Sequence, residues 1–72
     1  MKRAQRWLDV RVIQTYLRAT GTTQTDLAEK AGIGESYLSA LLARKRRLGA
    51  EALLGLADAT GLPLDLIEAP HV

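Results

Sequence analysis

The residues whose types could do chemistry fall between Thr23 and Arg47. Thr23 and Gln24 come first, Glu35, Ser36, Ser39 and Ala40 form a small polar group farther along, and Arg44, Lys45, Arg46 and Arg47 end the run. Hydrogen bonding and charge are the chemistry on offer, because covalent catalysis lacks its parts. Neither serine has a histidine neighbour to take its proton, and the acids show no paired constellation. With no cysteine in the chain, thiolate nucleophiles, disulfides and thiolate metal sites are excluded. His71 stands alone near the end, without a partner at metal-ligand spacing. No catalytic residue, metal or cofactor is expected, and the chain does not read as an enzyme. Four adjacent cations can neutralise an anionic surface, or they can be a solvated loop.

The distribution of charge bears on that choice. Residues 1–47 hold all ten Lys and Arg against four acids, whereas residues 48–72 hold the other four acids and no Lys or Arg. This asymmetry, hidden in a formal net charge of +2, points toward a polyanion on one side. A chain of 72 residues that is 47% hydrophobic and 25% charged has the balance of one small soluble globular domain. Such a domain rarely gains more than ~3 to 5 kcal/mol from its core, so economical helical packing or a partner is expected. The basic start, Met1 to Arg6, is not followed by the apolar region of a secretory signal. No run approaches the ~20 apolar residues of a membrane helix, so a cytoplasmic protein with no membrane partner is expected.

The positioning elements should all be helices. Thirteen Leu and eleven Ala, few β-branched residues and no strand-like alternation predict an all-α fold. Asp9 suits the N-cap of a first helix, with Leu8 able to staple onto Ile13, and Val10, Ile13 and Leu17 recur on one face until Gly21. The Thr23 hydroxyl can cap the amide of Asp26, whose carboxylate can reach back, opening a second helix that runs to Ala31. Gly32 then turns the chain through Ile33 and Gly34.

A third helix follows after about three residues, burying Leu38, Leu41 and Leu42 and leaving Glu35, Ser36, Ser39, Ala40 and Ala43 on other faces. A fourth spans Ala50 to Thr60, with Leu53, Leu56, Ala57 and Thr60 inward. Pro63 suits the first position of a short fifth helix with Leu64 and Ile67 as its apolar contacts and Pro70 as its stop. The chain divides into a basic segment 1–8, a helical domain 9–68 and a tail 69–72.

Two short helices joined by a glycine-containing turn of three or four residues form the helix-turn-helix unit. It requires a small residue at Ala28 for close helix approach, Gly32 for the turn, Ile33 as a plug, and Leu27, Leu38 and Leu41 to close the interior. The segment from Thr23 to Ile33, followed by Ser36-Tyr37-Leu38-Ser39, resembles the central signature of the Cro and lambda-type repressor family, also called the XRE family. The likeness continues through Leu53 to Ala57 and Gly61 to Asp65, covering about residues 13 to 67. It implies a compact five-helix domain whose third helix enters the major groove of double-stranded DNA while the start of the second abuts the backbone.

By position, the resemblance assigns base contacts to Glu35, Ser36 and Ala40, with Ser39 on a base or a phosphate. It assigns phosphate contacts to Gln24 and, beside it, Thr23, with Arg44, Lys45, Arg46 and Arg47 neutralising further phosphates. Glu35 either accepts from a cytosine amine or complements the helix dipole. The sequence departs from the family pattern at Gly34, where a capping side chain is frequent, at Arg44, where glycine is, and at Thr22, where an apolar residue is. Trp7 reads as a cover on the core edge and Tyr37 as a ring packed beside Leu41, with a place flanking DNA as the alternative for either. Lys2, Arg3 and Arg6 make either a phosphate-binding arm or a solvated tail.

The function implied is a sequence-specific transcriptional regulator, a small repressor binding an operator as a homodimer through a patch at Leu62, Leu64 and Leu66. The alternative is an antitoxin or adaptor that uses the same scaffold to bind a protein partner such as a toxin.

Overall fold

The computed structural model describes residues 6–69. Asp9 opens the chain's first helix in an extended conformation, and its carboxylate accepts the Val12 N–H at 3.3 Å. From that cap the helices follow in order: α1 (Val10–Thr20), α2 (Gln24–Ala31), α3 (Glu35–Leu42), α4 (Ala50–Thr60) and α5 (Leu64–Ile67). Among the described residues the sole β pairing is an isolated bridge between Leu8 and Glu68.

One hydrophobic cluster joins all five helices, and its fully buried members include Leu8, Ile13, Leu27, Leu38, Leu41, Leu56 and Ile67. Each such side chain contributes ~1.5 to 3 kcal/mol when withdrawn from water. Leu48 and Ala52 complete the interior although helical periodicity did not select them. Leu42, expected inside, is half-buried at the margin of the cluster.

The tightest approach is between α2 and α4. A methyl group on Gly55 would collide with the carbonyl oxygen of Ala31, so only a residue without Cβ lets α4 lie this close to the end of α2. The packing of α4 thereby holds α2, and α2 holds α3.

The two ends of the described chain are clasped together. Asp9 N–H donates to Ile67 O and Ala69 N–H donates to Trp7 O, both at 2.7 Å. The Arg6 guanidinium meets the Glu68 carboxylate at 2.8 Å. Arg6 to Leu8 are thus integral to the helical unit, and Arg6 is engaged by Glu68 rather than extending as an arm. Lys2, Arg3, Pro70 and His71 lie outside the described residues.

Three local expectations are corrected. Pro63 is the N-cap of α5 rather than its first helical residue, because its ψ of 153° is extended. Leu64 is 40% exposed, so Ile67 alone anchors α5 in the core. The capping box of α2 is half made: Thr23 caps Asp26 N–H at 3.1 Å, while the exposed Asp26 carboxylate makes no hydrogen bond back.

Candidate nucleic-acid interface

The geometry of the interface starts at the turn between α2 and α3. Gly32 has φ 72°, Ile33 N–H donates to Ala28 O at 3.0 Å and Gly32 N–H to Glu29 O at 3.2 Å. These two bonds form a Schellman motif, which satisfies the last carbonyls of α2 and folds Ile33 back onto the core. Gly34 is extended and offers no side-chain cap, so α3 begins with uncapped amide groups.

On α3, Leu38 and Leu41 are buried whereas Glu35, Ser36, Ser39 and Ala43 are exposed and Ala40 is half-buried. This outer face carries no side chain larger than Glu35. The first turn of α3 is fixed to α2 by a hydrogen bond from the Thr25 hydroxyl to Glu35 Oε2 at 2.8 Å. Thr25 did not stand out in the sequence. Its only signal is its place two residues after the Thr23 cap, which becomes meaningful once the turn folds α3 across α2.

The end of α3 repeats the Schellman pattern without glycine. Lys45 N–H donates to Ala40 O at 2.9 Å and Arg44 N–H to Leu41 O at 3.1 Å, with Arg44 at φ 60°. Arg44 is the sole non-glycine residue with positive φ among those described. Arg44, Lys45, Arg46 and Arg47 are all exposed and follow directly from α3. The Tyr37 hydroxyl spans this loop, donating to Arg47 O and accepting from Gly49 N–H, both at 3.1 Å, and the Arg46 guanidinium lies 5.3 Å from the ring centroid.

At the start of α2, Thr23 is exposed, its hydroxyl committed to the cap, and Gln24 is half-buried. Leu62 is half-buried, and Leu64 and Leu66 are 40% and 47% exposed. Beside Leu62 a shallow, open, mainly apolar cleft of about 340 Å³ runs along α1 past Arg11, Val12, Thr15, Tyr16 and Ala19. Among the described residues no cluster of His, Asp and Glu could hold a metal ion, and no helix is long and apolar enough to cross a membrane.

A short exposed helix with small side chains, set on a supporting helix by a glycine turn and continued by exposed cations, defines a helix-turn-helix domain. The sequence matches the helix-turn-helix family over residues 13–67, and the chain belongs to that family, in its Cro and lambda-type (XRE) group. The fold is similar to the crystal structure of a hypothetical transcription factor, NHTF, from Neisseria, with a TM-score of 0.73 at 19% identity. That likeness covers 79% of this chain and 64% of the Neisseria chain, and at this identity it is a likeness of fold. No curated protein matches the sequence.

Proposed function

We propose that the protein is a sequence-specific, double-stranded DNA-binding transcriptional regulator, a small repressor that occupies an operator as a homodimer with α3 in the major groove. The observation that carries this reading is the continuity of α3's small exposed face with the exposed cations Arg44 to Arg47. A helix can read base edges only where it fits a groove ~12 Å wide, and bulky outer side chains would hold it off.

Glu35, Ser36, Ser39 and Ala40 are the base-facing candidates. The Thr25 hydroxyl occupies one Glu35 oxygen and leaves the other able to accept from a cytosine amine. Thr23 and Gln24 bring the positive end of α2 to a phosphate, and the cations neutralise further phosphates with little sequence information.

One helix reads too few base pairs for useful selectivity, so two copies on half-sites ~34 Å apart are required. Leu62, Leu64 and Leu66, with the neighbouring cleft on α1, form the dimer patch. Three exposed leucines, Leu54, Leu64 and Leu66, are the observation behind a second reading, in which a protein such as a toxin is the principal partner.

Salt titration separates the two. A dimer that neutralises about 6 to 10 phosphates loses ~10³- to 10⁵-fold in affinity between about 50 and 200 mM salt. Arg46→Gln and Arg47→Gln weaken all duplexes alike and flatten the salt dependence. Ala40→Phe changes which sequences are selected from a random pool. No micromolar binding to any duplex at low salt, beside a co-purifying protein, supports the second reading.

A further inference from the structure

The side chain that ties the cationic loop to the exposed helix is Tyr37, for which the sequence offers packing beside Leu41 or a place flanking DNA. We propose that Tyr37 is a positioning residue for phosphate binding: its hydroxyl latches the loop over residues 43–49 to α3, so that loop cations and base-facing side chains meet one duplex in a fixed register. The inference rests on the DNA-binding reading above.

Three contacts carry it. The hydroxyl donates to Arg47 O and accepts from Gly49 N–H, bracketing Leu48 on both sides. The ring lies within cation–π range of the Arg46 guanidinium, which orients one of the four loop cations. Leu48 between them is buried, and its N–H donates to Arg6 O at 2.8 Å.

At its other end the loop is held by the Arg44 and Lys45 amide bonds to α3. Backbone anchored at both ends presents charges without the ordering cost that a free basic tail meets on binding. Because Tyr37 is itself the third residue of α3, displacement of the recognition helix carries the cations with it. The latch is at the surface, where water can replace both bonds. Losing it therefore affects register more than folding.

The test uses the whole chain, Tyr37→Phe and a random-sequence duplex of about 20 base pairs, so no operator is needed. Affinity is expected to fall ~3- to 10-fold and the salt slope to flatten by roughly one unit. The Gly49 amide should exchange faster with solvent while the melting temperature changes little. Wild-type affinity and slope in Tyr37→Phe overturn the latch, as does weaker binding with an unchanged salt slope, the mark of a merely structural role. A wild-type protein that binds no duplex at low salt instead overturns the DNA-binding reading. Tyr37→Leu also removes the ring and is expected to bind more weakly than Tyr37→Phe; equal binding by the two overturns the Arg46 stacking.

Discussion

Arg44 holds a left-handed backbone conformation that costs a residue with a Cβ ~1 to 2 kcal/mol and costs glycine almost nothing. Its cation therefore comes at the expense of fold stability. Arg44→Gly is expected to raise the melting temperature by ~4 °C or more and to flatten the salt dependence of duplex binding by about one phosphate. An unchanged or lower melting temperature would show that the backbone here is unstrained. Glu35 poses the opposite question, since its carboxylate is held by Thr25 yet lies at the tip of α3. If it accepts from a cytosine amine, Glu35→Ala relaxes preference at one base pair by ~1 to 3 kcal/mol in a comparison of selected and single-mismatch duplexes. If it serves only the helix dipole, base preference is unchanged and stability drops by ~0.3 to 1 kcal/mol.

Each helix depends on a few backbone events, and these differ widely in what they cost to remove. Thr23→Ala deletes a cap whose absence water partly makes good, so urea denaturation should report a loss of ~1 kcal/mol. Gly55→Ala drives a methyl group into the backbone of α2, where neither helix can give way, and the loss should reach ~3 kcal/mol, most of what so small a domain commands. A Gly55→Ala protein as stable as the parent would refute the close approach of α4 to α2. The same contrast explains what was legible in the sequence. Caps at Asp9 and Thr23, the turn at Gly32 and the buried leucines of α2 and α3 are local signals, set by residue type and spacing of three or four. Gly55, Leu48 and the Thr25–Glu35 bond depend on elements meeting in space, and nothing near them in sequence announces the encounter. Pro63 stands one position before the place its sequence context suggests because proline fixes φ and leaves ψ open, so it serves equally as a cap or a first helical residue.

For the molecule as a whole, the decisive feature is the uneven distribution of charge along the chain. Four of the ten Lys and Arg, Arg44 to Arg47, follow α3, while the acids after residue 48 share their half of the chain with the exposed Leu54, Leu64 and Leu66. The clasp of Trp7 and Asp9 on Ile67 and Ala69 fixes α5 to the rest, so a dimer formed there would carry both copies of α3 in a set relation. Replacing Leu64 and Leu66 together by serine is expected to leave binding to a single half-site intact and to abolish the advantage of two half-sites in register; an undiminished advantage would move the dimer contact elsewhere. In the proposed complex α3 and the loop after it face the duplex. Amide chemical-shift mapping during titration with a selected duplex tests this most directly. Perturbations should concentrate at Gln24, Ser36, Ser39, Ala40 and Arg44 to Arg47, whereas a footprint centred on α1 or α4 with those residues unmoved would contradict it.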